Sequence, residues 1–208
     1  MSYHIFFSIL IICLSVGLYG AIHSWLASLR VKVKVQRKLG PKADHSYRLI
    51  YNLLAILTLL PVLALPAALP DQRVYAIPMP WNLLSLALQG IALLVLLLGV
   101  IQTGVWSFLG LRQLFESGKP SVHLVTNGLY QYVRHPLYTA GLVLFWLIPV
   151  MTVNTLALDI GLTLYILIGI HYEERKLVRE FGPTYEAYRQ RTPMLIPKLS
   201  QHAPAITE

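Results

Sequence analysis

The stretch NLLSLALQGIALLVLLLGVIQT, residues 82–103, is the clearest apolar run of the chain, and it contains no charged side chain. A helix that rises about 1.5 Å per residue needs ~20 apolar residues to cross a hydrocarbon core ~30 Å thick. The segment therefore predicts a transmembrane helix. Two comparable apolar runs precede it, from about residue 5 to 27 and from about 47 to 69.

Composition agrees with a membrane protein. The 208 residues are 56% hydrophobic and only 12% charged, with a mean hydropathy of +0.60. A soluble domain would carry about 25% charged residues. We expect an all-α polytopic membrane protein with one integral domain over residues 1–208. The first run has no basic segment before it, which favours a retained helix over a cleaved signal peptide.

The second half of the chain predicts a different arrangement. Two shorter apolar runs, 137–153 and 156–170, flank Asn154 and suggest a tight helical hairpin. A polar segment from Glu173 to Arg191 then reads as an amphipathic helix, which Pro193 ends. We therefore expect about five transmembrane helices, three within 1–104, followed by a catalytic half over 105–208.

The charge distribution predicts the topology. Much of the net charge of +8 lies between the first two apolar runs, on Arg30, Lys32, Lys34, Arg37, Lys38, Lys42 and Arg48. Positive loops stay inside, so the N-terminus is expected outside a bacterial-type inner membrane. Arg112, Lys119 and the C-terminal tail then face the cytoplasm. This distribution argues against a nucleic-acid partner.

The polar block HLVTNGLYQYVRHPLY, residues 123–138, lies directly against apolar runs. Asn127-Gly128 is a turn signal, and Gly128 permits a left-handed backbone or the close approach of a ligand. Pro136 keeps His135 out of the helical region and suits the start of the next helix. Such a helix start favours an anionic group of a cofactor. Alternatively, Arg134 and the tyrosines are only interfacial anchors.

A second polar block begins at Glu173-Glu174, where an apolar run ends. Adjacent helical residues point about 100° apart, so at most one of these carboxylates faces a given site. It could bind a ribose diol, hold a cation or act as a base, or it could simply pair with Lys176. Tyr185 and Tyr188 have the spacing of a packing stripe. The scattered histidines predict no metal site.

Together the two blocks resemble the isoprenylcysteine carboxyl methyltransferase-like superfamily of integral membrane methyltransferases. The matching pattern is HLVTxGxYxxxRHPxY at 123–138, followed by EExxLxxxFGxxYxxY at 173–188. The segments HSWLAS at 23–28, YRLIYN at 47–52, FLGLRQ at 108–113, YILIGI at 165–170 and PMLIP at 193–197 are more specifically similar to bacterial methanethiol S-methyltransferases.

The resemblance implies S-adenosylmethionine as methyl donor, held on the cytoplasmic side. It implies that Arg134, His135 and Glu174 carry the chemistry. The cofactor-binding positions that it implies are His123, Leu124, Val125, Tyr130, His135, Pro136, Tyr138, Glu173, Glu174, Tyr185 and Tyr188. Arg134 would neutralise the cofactor carboxylate or orient the methyl acceptor.

One departure bears on the acceptor. Isoprenylcysteine enzymes usually have an arginine four residues before the paired glutamates, where this chain has Gly169. The expected acceptor is therefore a small thiol such as methanethiol, which would give dimethyl sulfide. Alternatives are an isoprenylcysteine carboxylate or a lipid acceptor, an NADPH-dependent sterol-type reductase, and a non-enzymatic accessory protein of respiration.

Overall fold

The computed structural model describes residues 3–40, 42–111 and 123–198. Its α-helices are α1 (Tyr3–Ala27), α2 (Leu29–Leu39), α3 (Lys42–Ala68), α4 (Trp81–Gln102), α5 (Val105–Leu109), α6 (Pro136–Trp146), α7 (Val153–Phe181) and α8 (Pro183–Arg191), and a short 3-10 helix spans Gly128–Gln131. Four of them, α1, α3, α4 and α7, are long and apolar enough to cross a membrane. The predicted all-α membrane fold is confirmed. Arg112 and Lys119, used to predict topology, lie outside the described residues.

The first arm of the predicted hairpin is shorter than expected. Helix α6 has only 11 residues and ends at Trp146, well before the expected end at residue 153. Pro149 explains this, since a proline excludes the helical region at the preceding residue. Two side chains of α4 then satisfy carbonyls at the end of α6: Gln89 donates to Leu144 O at 2.8 Å and Ser85 donates to Leu147 O.

A pair of short strands was not predicted from the sequence. Strand β1 (Arg73–Ala76) pairs antiparallel with β2 (Val150–Thr152), with Ala76 opposite Val150 and Arg73 opposite Thr152. Each strand is too short to show a periodic apolar pattern. Helix α7 begins at the residue that follows β2, so the pairing fixes the start of this helix beside the loop after α3.

The second arm of the hairpin is longer than expected. Helix α7 has 29 residues, about 43 Å at 1.5 Å per residue, so its polar end extends beyond a ~30 Å core. The prediction of one amphipathic helix from Glu173 to Arg191 is wrong, because this segment is divided between α7 and α8. Gly182, with φ of +53°, ends α7, and Pro183 is the first residue of α8. A positive φ suits glycine.

The described chain forms two compact units. One comprises residues 1–82, 104–119 and 149–165, and the other comprises 83–103, 120–148 and 166–208, apart from the undescribed positions. In the first unit the buried Asn154 side chain donates to three carbonyls, Pro66 O, Leu69 O and Pro70 O, at 3.2–3.4 Å. Asn154, expected to separate two helices, instead caps the end of α3 from the first turn of α7.

Candidate functional site

The expected turn and helix start at the first polar block are present. Gly128 has φ of +60°, and a Cβ atom there would collide with the Gln102 side chain, whose Oε1 accepts from Leu129 N at 3.2 Å. The positive φ favours glycine at this turn. Pro136 is the first residue of α6, and His135 before it has non-helical dihedrals of φ −126° and ψ 64°.

An ion pair joins the two polar blocks within the second unit. Arg134 contacts Glu174 Oε1 through Nε at 2.7 Å and through Nη2 at 2.6 Å. The remaining Nη1 donates to the carbonyls of Thr192 at 2.6 Å and Arg189 at 3.1 Å. Both charged side chains are largely buried, with 9% and 14% of their surface exposed. Because its donors are engaged in this way, Arg134 positions Glu174 in this structure.

His135 lies between the two glutamates. Its Nε2 is 3.3 Å from Glu174 Oε1, its Nδ1 is 3.9 Å from Glu173 Oε2, and its side chain is only 4% exposed. A carboxylate can only accept, so Nε2 carries the proton that it donates to Glu174. Tyr138 donates to Glu173 Oε2 at 3.0 Å. Glu174 is thus the inner carboxylate, and Glu173, at 43% exposed, is the outer one.

A C-terminal segment holds this block in place. Arg134 N donates to Pro193 O at 2.9 Å and His135 N donates to Met194 O at 3.2 Å. One turn further along, Thr139 Oγ1 donates to Leu195 O at 2.8 Å. The sequence indicated residues 193–197 only as a motif, because backbone hydrogen bonds between segments so far apart in the chain leave no local pattern.

The tyrosines near the site are packed rather than open. Tyr185 and Tyr188 are 1% and 4% exposed, and the Tyr188 hydroxyl donates to Tyr130 O at 2.6 Å. Burial, with a smaller contribution from Glu174, raises the pKa of Tyr185 to about 12. Burial also raises the pKa values of Tyr188 and Tyr130. These hydroxyls therefore stay protonated at neutral pH.

The other residues expected to bind the cofactor differ in their burial and in their contacts with the charged cluster. Pro136 is fully buried at the start of α6. His123 is exposed, and Leu124 and Val125 are half-buried in a segment that is neither helix nor strand. Among the described residues, no hydrogen bond or ion pair joins these three to Arg134, His135 or Glu174. The structure thus brings together His135, Tyr138, Glu173 and Glu174 with Arg134, and it leaves the 123–125 segment unconnected to them.

A cavity that the sequence did not predict lies along one face of α7. Its volume is about 810 Å³, within the range of small-molecule sites. The lining includes Glu174 and the following side chains: Leu167, Ile170, His171, Arg175, Val178, Arg179, Glu186, Arg189 and Met194. Most of the α7 members recur at steps of three or four residues, which is the signal that could have found this face.

Comparison with known proteins gives consistent relatives. Residues 28–192 match the family described as protein of unknown function (DUF1295). Methanethiol S-methyltransferase of a Pseudomonas species is 32% identical over 199 residues, covering 93% of this chain and 75% of the relative. The Mycobacterium tuberculosis methanethiol S-methyltransferase is 30% identical over 192 residues, covering 89% and 77%.

A more distant relative is matched over a shorter stretch. Protein-S-isoprenylcysteine O-methyltransferase of Schizosaccharomyces pombe is 38% identical over 79 residues, covering 36% of this chain and 33% of the relative. No solved structure matches the chain.

Proposed function

Because the chain belongs to the DUF1295 family and to the membrane methyltransferases that include the methanethiol S-methyltransferases, we propose that it methylates a small thiol such as methanethiol, with S-adenosylmethionine as donor. The observation that carries the proposal is the buried Arg134–Glu174–His135 cluster where apolar α7 becomes polar. Buried ionisable groups at the end of a membrane span are typical of binding and catalytic sites.

The residues beside this cluster fit the proposed donor. S-adenosylmethionine carries a carboxylate, an ammonium group, a ribose diol and an apolar-faced base. The α7 cavity offers groups of each matching kind: Arg175 and Arg189 for the carboxylate, Glu186 for the ammonium or the diol, and apolar Leu167 and Ile170 for the base. When bound, the donor supplies an electrophilic methyl group on a sulfonium.

The cluster supports a simple path for the thiol proton. Glu174 accepts from His135 Nε2, so Nδ1 is the ring nitrogen that would accept the thiol proton. A thiol is a weak acid, so a neighbouring imidazole that accepts its proton raises the share of the reactive thiolate. Deprotonation by His135 would leave the thiol sulfur as the nucleophile, and a bound donor would supply the methyl group and leave as its thioether, S-adenosylhomocysteine. Arg134 holds Glu174, and hence the imidazole, in position.

We further propose that this site faces the cytoplasm. The cationic segment between α1 and α3, with Arg30, Lys34 and Arg37, belongs inside by the positive-inside rule. If each span crosses the membrane once, chain order puts the start of α6 and the end of α7 on that same side, which supports the proposal. Cysteine labelling of Ser28→Cys and of Asp71→Cys in the Cys13→Ala background tests this. The proposal requires residue 28 to be shielded from an impermeant reagent in intact cells and residue 71 to react.

The function is tested with purified protein in detergent. Methyl-labelled S-adenosylmethionine and methanethiol should give volatile labelled dimethyl sulfide, which gas chromatography detects. His135→Ala should reduce the rate by about a hundredfold or more. A panel with a prenylcysteine and phospholipid vesicles distinguishes volatile from lipid-bound label. If calorimetry detects no binding of S-adenosylmethionine, the proposed function is wrong. If His135→Ala keeps full turnover, the proposed proton path is wrong.

A further inference from the structure

Helix α2 is a cationic helix between two candidate membrane spans. Ser28 caps it, with its hydroxyl accepting from Val31 N at 3.4 Å. The helix carries five cations and no acidic residue: Arg30, Lys32, Lys34, Arg37 and Lys38. All five are exposed. The preceding span ends at Ala27 and the following one begins at Ser46, so the chain places α2 at a membrane surface.

An apolar cavity lies beneath this helix, within the first unit. Its volume is about 510 Å³, and Val35 and Leu39 of α2 contribute to its wall. The rest of the lining comes from the end of α1 and the start of α3, and includes Leu26, Tyr47, Ile50, Tyr51 and Leu54.

Two tyrosine hydroxyls in the wall are directed to protein partners. The Tyr47 hydroxyl donates to Leu26 O, and the Tyr51 hydroxyl is 2.7 Å from His23 Nε2. The wall therefore presents mainly hydrocarbon to an occupant, and no charged side chain lines it among the described residues. A nucleotide or another ion would lose its hydration there without a compensating charge. A hydrocarbon chain suits such a wall.

We propose that α2 and this cavity form a binding site for an anionic glycerophospholipid, with part of one acyl chain in the cavity and the headgroup phosphate on the α2 cations. Charge complementarity selects the anionic headgroup. Each lysine or arginine near an anionic membrane surface contributes about fivefold in affinity, and α2 carries no carboxylate that would oppose it. A small thiol would make no use of these charges.

The test is native mass spectrometry of the delipidated full-length protein, titrated with dioleoyl-phosphatidylglycerol or dioleoyl-phosphatidylcholine. We expect at least about tenfold tighter retention of the phosphatidylglycerol, and weakening of that retention as salt rises. The variant R30Q/K34Q/R37Q/K38Q should lose this preference. Its matched control, R73Q/K176Q/R191Q/K198Q, removes the same charge elsewhere and should keep it.

The cavity is tested separately on the same helix. Val35→Trp fills it, whereas Val33→Trp adds the same side chain at an exposed position that does not line it. Val35→Trp should reduce retention of both lipids and Val33→Trp should not. Equal binding of the two lipids by the wild type, an unchanged preference in the glutamine variant, or full retention by Val35→Trp would overturn the proposal. If Val35→Trp fails to fold, the charge variants still decide.

Discussion

Two histidine clusters show how differently this chain accommodates polar groups. In the second unit, His135 contacts Glu174, which also pairs with Arg134. In the first unit, His23 is bound by neutral groups: its Nε2 lies 2.7 Å from the Tyr51 hydroxyl and its Nδ1 contacts the Tyr165 hydroxyl. Both clusters link residues that are distant in the sequence.

The difference follows from where each cluster lies along its helices. His23, Tyr51 and Tyr165 all belong to apolar spans, where an ion is costly, and two hydroxyls satisfy a neutral imidazole completely. Glu174 follows the apolar part of α7, where the helix is long enough to leave the hydrocarbon. The charged groups therefore belong to the cluster that we propose to be catalytic. The neutral cluster connects α1, α3 and α7 through hydrogen bonds.

Removing the inner carboxylate should have the largest effect. Glu174→Gln leaves the buried Arg134 charge without its counter-ion, which should cost about 3 to 5 kcal/mol of unfolding free energy. It also releases His135, so methyl transfer should fall by roughly a hundredfold or more. The matched variant Glu173→Gln changes a carboxylate that is 43% exposed and should lose less than about tenfold. Equal losses in both would contradict the inner and outer assignment.

Removing the neutral histidine should affect stability next most strongly. His23→Phe keeps an aromatic ring but leaves two tyrosine hydroxyls without their partner, which should cost about 2 to 4 kcal/mol. Thermal unfolding in detergent measures this. His4→Phe, at an exposed position of the same helix, is the control and should change little. Equal melting temperatures for His23→Phe and the wild type would show that the His23 cluster does not stabilise the protein.

The local features of the fold and of the candidate site could be predicted from the sequence, but the contacts between distant residues could not. The long apolar runs predicted the spans, and Pro136 and Gly128 predicted the helix start and the turn, because these features depend on local sequence. The motif pattern brought Arg134 and Glu174 into one candidate site. It could not give the Arg134–Glu174 pair itself, the β1–β2 ladder or the contact of Thr139 with Leu195. Each of these depends on residues that only tertiary packing brings together.

Helix packing around the neutral cluster offers a smaller test. A Cβ at Gly20 would lie 2.9 Å from the Tyr165 ring, whereas a Cβ at Gly17 would meet nothing within 4 Å. Gly20→Ala should therefore destabilise the protein by about 1 to 3 kcal/mol through overpacking. Gly17→Ala should be neutral or stabilise by up to ~1 kcal/mol. Comparison of the two melting temperatures checks this, and a neutral Gly20→Ala would show that Tyr165 is free to move.

The smallest expected effect concerns alkaline pH and the charged cluster. Burial raises the pKa of Tyr185 from 10 to about 12, so the folded protein holds this proton more tightly than the unfolded chain. The resulting stabilisation is complete below pH 10 and is lost as pH rises to about 12. Tyr185→Phe has no such proton, so by about pH 11 its unfolding free energy should have fallen by about 1 kcal/mol less than that of the wild type.

Chemical unfolding at several values between pH 9 and 12 measures this difference, with Tyr3→Phe as a control at an exposed tyrosine. Tyr188 is also buried, and its own raised pKa adds a second fall that remains in Tyr185→Phe. The double variant Tyr185→Phe/Tyr188→Phe should therefore flatten the curve further. Parallel curves for the wild type and the double variant would mean that these hydroxyls are not sequestered from water, and that the charged cluster is more open than its contacts indicate.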